Sequence, residues 1–223
     1  MSNILVIAPH PDDETLGCGG TLLNHVNSGD KLYWLIMTSM QKKLGFTKEQ
    51  IDLREKEIQN ISKQYNFENF KIAPFDATGL DQIPFSEIVS FISNYISKIK
   101  PDIMYIPFQG DVHTDHKVVY KASISCAKTF KHPTIEKVRV YETLSETDHN
   151  IDHSKETFSP NLWVDISNTI KKKIEIMKIY KSEIHDFPHP RSEKNIIALA
   201  NLRGSVCGCQ YAESFITIKE IIK

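Results

Sequence analysis

Residues 4–14 of this 223-residue chain read Ile4-Leu5-Val6-Ile7-Ala8-Pro9-His10-Pro11-Asp12-Asp13-Glu14. The uninterrupted apolar run is the pattern of a β-strand buried on both faces of a sheet. One imidazole and three carboxylates follow within five residues, at the point where the strand should end. A surface loop has no structural need for so much acid beside a histidine, and these groups are usual zinc ligands in hydrolases. The stretch therefore predicts a buried strand that ends in a metal site.

A second polar cluster lies about 100 residues further along, at Asp111-Val112-His113-Thr114-Asp115-His116. It follows the apolar run of residues 103–108, which predicts another buried strand. Strand-like and helix-like segments alternate along the chain. This alternation predicts an α/β, Rossmann-like fold with a mostly parallel sheet and helices on both faces. Such sheets bind ligands outside the carboxyl ends of their strands, so we expect the two clusters to meet at one edge.

The other predicted elements fit this architecture. Further strands are predicted at residues 32–37, 70–75, 138–141, 162–166 and 215–218. Helices are predicted at 21–26, 47–65, 86–100, from the second cluster to about 130, and at 167–181 and 192–202. Glu14 and the glycines of 17–20 are expected to form the turn into the first helix, and the polar segment 148–159 a loop. Because no repeat or change of composition marks a boundary, we expect residues 1–223 to form a single domain.

Composition and charge exclude several classes of function. The formal net charge is −1, which predicts no nucleic-acid partner. No apolar stretch approaches the roughly 20 residues that span a bilayer, and no signal peptide is recognisable. The four cysteines form no disulfide framework, which favours a cytoplasmic location. Of these, Cys207-Gly208-Cys209 is interpreted as an incidental pair of buried thiols rather than a metal or redox pair.

The residue types of the two clusters favour a catalytic zinc site, which has three protein ligands and an open position. His10, Asp13 and one histidine of the second cluster would supply the ligands, with Fe(II) as an alternative to zinc. Asp12 would act as general base on the metal-bound water, whose pKa falls towards ~7.

The second cluster offers two histidines, and their spacing does not decide which one binds the metal. The other histidine, paired with Asp115, would stay protonated and face the oxygen that becomes negative during attack. This combination of groups suits hydrolysis of a carbonyl compound, above all an amide.

Two alternatives remain open from the residues alone. Acidic loops after strands also bind magnesium, and Asp12 and Asp13 by themselves would favour a magnesium-dependent phosphohydrolase. The histidines favour zinc or iron over magnesium. The second alternative is a non-catalytic binding protein with a vestigial site, and the presence of every predicted catalytic residue argues against it.

Both motifs resemble those of a known family. Residues 8–21, Ala-Pro-His-Pro-Asp-Asp-Glu-Thr-Leu-Gly-Cys-Gly-Gly-Thr, resemble the signature of the PIG-L/LmbE-like deacetylases, and 113–116 resemble their second motif, His-x-Asp-His. The segments 187–192 and 203–215 are similar to a run in many bacterial members. The resemblance implies a zinc-dependent N-deacetylase of Rossmann-like fold. Its substrate would be an N-acetylated amino sugar or a nucleotide, lipid or thiol conjugate of one.

The resemblance also implies roles by position. The residues that match the family's metal ligands are His10, Asp13 and His116. Asp12 matches the general base. His113 matches the residue that polarises the carbonyl and stabilises the oxyanion, held by Asp115.

Four further residues of interest lie outside the two polar clusters. Arg54 resembles a family arginine that reaches the substrate, and the alternative is a solvated helix charge paired with a neighbouring acid. The prolines beside His189 predict an extended loop at a rim or a subunit contact, and the roles of His189 and Arg191 are left open. Glu213 would orient a metal ligand or satisfy buried backbone groups. The sequence leaves open the sugar, the acyl group and the oligomeric state, a homo-oligomer included.

Overall fold

The computed structural model describes residues 1–151 and 157–223, so part of the predicted loop at 148–159 lies outside the described residues. The strands are β1 (Asn3–Ala8), β2 (Lys31–Ile36), β3 (Phe67–Ile72), β4 (Ile103–Pro107), β5 (Lys137–Tyr141), β6 (Leu162–Asp165) and β7 (Ala212–Glu220). The helices are α1 (Asp13–Asn27), α2 (Lys48–Gln64), α3 (Phe85–Ile99), α4 (Thr114–Cys126), α5 (Ile170–Met177) and α6 (Glu193–Cys207). Two short 3₁₀ turns lie at Lys42–Leu44 and Leu80–Gln82.

One sheet of order β3-β2-β1-β4-β5-β7-β6 joins these strands. Strands β1 to β5 pair in parallel, whereas β7 is antiparallel to both β5 and β6. Residues 4–8 of strand β1 are buried because successive side chains enter two different cores. Ile4, Val6 and Ala8 pack with α1, α2, α5 and α6, while Leu5 and Ile7 pack with α3 and α4. The predicted mostly parallel sheet with helices on both faces is confirmed.

The strand order places the two polar clusters side by side. Strand β1 pairs with β2 on one side and with β4 on the other, with Ile4 opposite both Leu32 and Ile103. The chain therefore leaves β1 and β4 at the same edge, where the strand order reverses and α/β sheets form their ligand-binding crevice. The predicted meeting of the clusters follows directly from this pairing.

The start of helix α1 differs from the prediction. It begins at Asp13 and contains one non-helical residue, Cys18, rather than beginning near residue 21. The glycines lie inside the helix and not in a turn. At these positions side chains from other elements approach the backbone of α1 closely. A Cβ on Gly17 would lie 2.3 Å from the Tyr141 ring, and one on Gly20 would lie 2.7 Å from Ile166. The glycines therefore allow α1 to pack closely against the sheet.

Other element ends shift because tertiary contacts override local pattern. Helix α2 begins with a capping box: the Gln50 N–H donates to Thr47 Oγ1 at 3.2 Å, and the Thr47 N–H donates to Gln50 Oε1 at 2.9 Å. Strand β3 starts three residues before its predicted position, α4 ends at Cys126, and α5 is shorter than predicted. Helix α6 continues through Gly204 to residue 207. Within the described residues, no helix is long and apolar enough to cross a membrane.

Candidate active site

The turn between β1 and α1 aims two adjacent carboxylates in different directions. Asp12 has a φ of 140°, which side-chain-bearing residues rarely adopt. Its N–H donates to Glu14 Oε2 at 3.1 Å, and the Tyr180 hydroxyl donates to Glu14 Oε1 at 2.9 Å. Burial raises the pKa of Glu14 to about 7. The turn directs Asp13 towards His116 and Asp12 towards Arg191.

The predicted metal ligands come together. Ligand atoms of His10, Asp13 and His116 lie within 4.8 Å of one another. His116 Nε2 is 3.3 Å from Asp13 Oδ2, and its Nδ1 is 2.8 Å from Asp111 Oδ2, which fixes the ring. Burial opposes charge on both groups, yet Asp13 raises the pKa of His116 and His116 lowers that of Asp13, each well away from its usual value. The sequence pattern assigns no role to Asp111. The structure shows that its carboxylate orients His116.

The donor set fits a divalent cation. Among the described residues, His116 Nε2 is buried and has no hydrogen-bond partner. An orphaned buried nitrogen facing a carboxylate is costly unless a ligand completes it. His10 Nε2 is 3.0 Å from Asp115 Oδ2, which leaves His10 Nδ1, 3.6 Å from Asp13 Oδ2, as the atom that faces the same point. His10, His113 and Asp115 form a second compact group that could compete for a cation.

The relation between His113 and Asp115 differs from the expectation in two respects. The Asp115 carboxylate lies 4.0 Å from His113 Nδ1 and instead accepts the backbone N–H groups of Thr78 and Leu80, at 2.8 and 3.0 Å. His113 Nδ1 accepts the backbone N–H of Asp115 at 3.1 Å, so the ring proton lies on Nε2. Burial, and then the nearby His10, lower the pKa of His113 to about 4. His113 is therefore a neutral hydrogen-bond donor rather than the protonated partner of Asp115.

Two arginines and a glutamate surround Asp12. Arg191 Nη1 donates to Asp12 Oδ2 at 2.8 Å and to Glu183 Oε2 at 2.7 Å. Arg54 donates to the other oxygen of Glu183 and, at 3.0 Å, to the carbonyl of Pro11. Burial raises the pKa of Asp12, and Arg191 opposes this rise. Glu183 thus joins the two arginines, each of which donates a hydrogen bond to the turn that carries Asp12.

The structure excludes one of the two alternatives for Arg54 and locates Arg191. Arg54 is only 6% exposed, so it is not a solvated helix charge, although it does pair with Glu57 at 3.3 Å. It lines the cavity, as does Arg191, whose role the sequence left open. The resemblance of residues 187–192 to family members was the available signal for Arg191. Nothing in that pattern indicated contact with Asp12, some 180 residues away.

The side chains of Glu213 and His189 accept hydrogen bonds from backbone N–H groups. The Glu213 carboxylate accepts the N–H groups of Gly20 and Thr21 at 2.8 and 2.7 Å, which holds α1 against β7. His189 Nδ1 accepts the N–H of Arg191 at 3.1 Å. Of the two roles considered for Glu213, the structure shows the satisfaction of buried backbone groups.

A cavity of about 220 Å³ opens over the site. Its wall includes Phe46 and Met40, and Glu146 contributes a buried Oε2 that has no hydrogen-bond partner among the described residues. The remaining lining residues are His10, Pro11, Asp12, Thr38, Ser39, Arg54, Ala77, Thr78, His113, Glu183 and Arg191. The cavity therefore joins a candidate cation site to a wall of charged and polar groups, which suits a polar ligand.

Known proteins are similar to this chain in sequence and in fold. The chain is 24% identical to the diacetylchitobiose deacetylase of Thermococcus kodakarensis over 96% of its own length and 82% of that protein. The N,N'-diacetylchitobiose deacetylase of Pyrococcus horikoshii has a similar structure, with a TM-score of 0.78 and 19% identity over 98% of this chain and 84% of that one. The 4-carboxy-2-hydroxymuconate hydratase of Pseudomonas putida KT2440 is also similar, at 0.73 and 14%, over 100% of this chain and 98% of that one. Likeness of fold alone therefore does not assign a reaction.

The family comparison covers the residues of the site. The family model described as GlcNAc-PI de-N-acetylase matches residues 5–127, which include both polar clusters. This match spans more than half of the chain and includes every residue of the compact His and Asp groups. The chain belongs to the PIG-L, or GlcNAc-PI de-N-acetylase, family.

Proposed function

We propose that residues 1–223 form a single-domain, metal-dependent hydrolase that removes an N-acyl group, acetyl in the first place, from an amino sugar or its nucleotide, lipid or thiol conjugate. Family membership and the similarity to a diacetylchitobiose deacetylase support the substrate class. The observation that carries the proposal is the orphaned His116 Nε2 facing Asp13, beside a cavity whose wall holds the buried carboxylate of Asp12.

His10, Asp13 and His116 would hold the cation, with zinc as the first candidate and Fe(II) as the second. Imidazole and carboxylate donors fit both ions. When bound there, such an ion would supply Lewis acidity that polarises the acyl carbonyl and makes water a nucleophile at neutral pH.

Asp12 is the proposed general base. It accepts a proton from the attacking water and returns that proton to the departing amine nitrogen. Arg191 holds Asp12 Oδ2 in place through the hydrogen bond of 2.8 Å, and Glu183 holds Arg191. Because burial raises the pKa of Asp12 while Arg191 opposes the rise, the carboxylate is a better proton acceptor than an exposed aspartate.

His113 is the proposed donor to the acyl oxygen. As a neutral imidazole with its proton on Nε2, it donates a hydrogen bond that strengthens as negative charge develops on that oxygen. The backbone N–H of Asp115 fixes this tautomer, and the Asp115 carboxylate orients His10. Asp115 thus supports both neighbours through different atoms.

Arg54 and Glu146 are the proposed contacts to the sugar. Arg54 lines the cavity and its guanidinium is held by the Pro11 carbonyl and by Glu183, so its position is fixed before a ligand arrives. Glu146 also lines the cavity, and its carboxylate would accept a hydrogen bond from a sugar hydroxyl. Both groups favour a substrate rich in hydroxyls over an apolar amide.

The proposal is tested by measuring amine release with fluorescamine over a panel of N-acetylated and N-formylated sugars, with and without a chelator. We expect amine from at least one sugar, loss of the activity with chelator, and recovery with zinc or Fe(II). Metal analysis of protein purified without added metal separates this hypothesis from its first alternative. A magnesium requirement with phosphate release would favour the phosphohydrolase, and inertness over the whole panel would favour a vestigial site.

A further inference from the structure

The carboxyl-terminal end of α6 carries two neighbouring thiols. Cys207 is the last residue of the helix, and Cys209 follows after Gly208. The sequence predicted that both thiols would be buried, and this prediction is wrong: Cys207 is exposed and Cys209 is half-buried. Their Sγ atoms lie only 3.3 Å apart. Neither residue lines the cavity of the proposed hydrolase, so the pair is a separate feature of the molecule.

Two glycines fix the geometry of this pair. Gly208 has a φ of 79°, and a Cβ on Gly204 would lie 2.6 Å from the carbonyl oxygen of Cys209. The Gly204 carbonyl accepts the N–H groups of both Gly208 and Cys209, at 2.9 and 3.1 Å. The loop is therefore folded tightly back on the last turn of α6. Because its backbone is already held, the thiols are brought together before any reaction, which lowers the entropy lost on joining them.

We propose that Cys207 and Cys209 form a reversible dithiol–disulfide modification site that reacts with small-molecule disulfides of the glutathione class. The two Sγ atoms need only close from van der Waals contact to the bond length of about 2.05 Å, which rotation of the side chains can supply. The exposed position of Cys207 gives the oxidant access to the pair.

The exchange proceeds in two balanced steps. The Cys207 thiolate attacks one sulfur of oxidised glutathione, breaks its S–S bond and releases one glutathione thiolate, which takes up a proton. Cys209 then loses its proton to solvent and attacks Cys207 Sγ, which expels the second glutathione. The protein dithiol is oxidised to one disulfide while one glutathione disulfide is reduced to two thiols. Cys207 is the more exposed of the two thiols, which assigns the first attack to it. In agreement, partial burial and the contact with Cys207 raise the pKa of Cys209.

The other two cysteines provide an internal control. Cys18 and Cys126 are buried, and burial raises the pKa of both thiols. A low thiolate fraction and poor access protect them in the folded protein. Trypsin separates the pairs, because the peptide of residues 204–219 contains Cys207 and Cys209 and neither of the buried cysteines.

The test equilibrates the folded protein in glutathione buffers from fully reduced to fully oxidised, traps free thiols with N-ethylmaleimide, and measures the mass of peptide 204–219. We expect this peptide to carry two N-ethylmaleimide adducts in reducing buffer, to carry none and to have two hydrogens fewer than the dithiol in oxidising buffer, and to regain both adducts on reduction, while Cys18 and Cys126 form neither a disulfide nor a glutathione adduct. Circular dichroism checks that the protein remains folded. A peptide that keeps both thiols in fully oxidised buffer, carries stable glutathione adducts, or is linked to a second chain would overturn the proposal.

Single-cysteine variants sharpen the test. Cys209→Ser should retain one glutathione on Cys207, because the second step has lost its thiol. Cys207→Ser should react at least several-fold more slowly, since the remaining thiol is half-buried and therefore less accessible. Equal rates for the two variants would contradict the order of steps, and an absence of adduct on Cys209→Ser would contradict attack by Cys207. None of these measurements depends on hydrolase activity.

Discussion

The two sides of the cavity are built in different ways. The cation side comes from two short segments that directly follow the adjacent parallel strands β1 and β4. The arginine side is assembled from α2, through Arg54, and from the connection between α5 and α6, through Glu183 and Arg191. The first side is positioned by backbone pairing in the sheet, whereas the second depends on how a helix and a loop pack over that edge.

The two sides also differ in how their charges are satisfied. The cation side leaves His116 Nε2 without a hydrogen-bond partner among the described residues, so it is incomplete without a ligand. On the arginine side, Glu183 binds both arginines, and Arg191 binds Asp12. These ion pairs and hydrogen bonds can hold Asp12 in place without a ligand. Variants on the two sides should therefore fail differently, one by losing metal and the other by losing rate.

Of the variants considered, His116→Ala is expected to have the largest effect on metal content and turnover. Partners that only orient a metal ligand typically contribute about 10–100-fold in metal affinity, and loss of a ligand should cost more. We expect this variant to lose bound metal and all measurable turnover, by elemental analysis and the amine-release assay. His113→Ala is the matched control and should keep its metal while kcat falls. Metal loss in His113→Ala with metal retained in His116→Ala would favour the competing group of His10, His113 and Asp115 as the cation site, and equal loss in both would contradict the division of roles between the two histidines.

Asp12→Asn should keep its metal and lose about 10²–10⁴-fold in kcat, the usual contribution of a positioned acid–base group. The change removes the proton acceptor but leaves the cation ligands in place. Elemental analysis and steady-state kinetics on the same preparation measure both quantities. Asp81→Asn, on the exposed turn of residues 80–82, is the control and should leave both unchanged. If kcat of the Asp12 variant stayed close to that of the unchanged protein, Asp12 would not be the general base.

Arg191→Ala tests the arginine side. The lost hydrogen bond to Asp12 is charge-assisted, and such bonds contribute about 1.5–3 kcal/mol, so kcat should fall roughly 10- to 100-fold with metal content unchanged. The matched control is Arg203→Ala, because Arg203 also pairs with a carboxylate, Glu142, but does not line the cavity. The control should reduce the melting temperature and leave kcat within about twofold. If both variants reduce kcat equally, the contact with Asp12 has no special role.

The smallest expected effect is that of Thr47→Ala, which removes half of the capping box of α2. Loss of such a cap costs about 1 kcal/mol in the free energy of unfolding. Arg54 lies two turns further along and is held by other contacts, so kcat should stay unchanged. Thermal denaturation and kinetics check this prediction, and Gln50→Ala should behave alike. A marked fall in kcat would show that the arginine side depends on the first turn of α2.

Much of the cation side could be predicted from the sequence because its information is local. The apolar run of 4–8 predicts a buried strand, and the residues that follow it are potential ligands by type. The conclusion that residues 10–13 and 113–116 meet needed one further rule, that parallel strands present their carboxyl ends at one edge. The pairing of β1 with β4 agrees with that rule. The errors on this side concern single atoms, such as the contact that Asp115 makes with His10 rather than with His113.

The arginine side could not be predicted because its residues carry no local pattern. Arg191 follows two prolines in a segment without helical or strand periodicity, and Glu183 lies just beyond a basic helix. Their meeting with Arg54 and Asp12 depends on the path of the connection between α5 and α6 across the sheet edge. The same limit applied to Cys207 and Cys209, whose exposure depends on where α6 ends.

Local patterns along the chain are enough to predict the class of fold, the edge of the sheet that carries the polar clusters and the residue types offered to a cation, because strand burial and strand-end position are local properties. The protonation of His113, the side-chain partner of the Asp115 carboxylate and the hydrogen bond between Arg191 and Asp12 follow instead from the packing of the folded chain. Each of these depends on distances of a few ångströms between segments distant in sequence, and hydrogen bonding and pKa values change over that range.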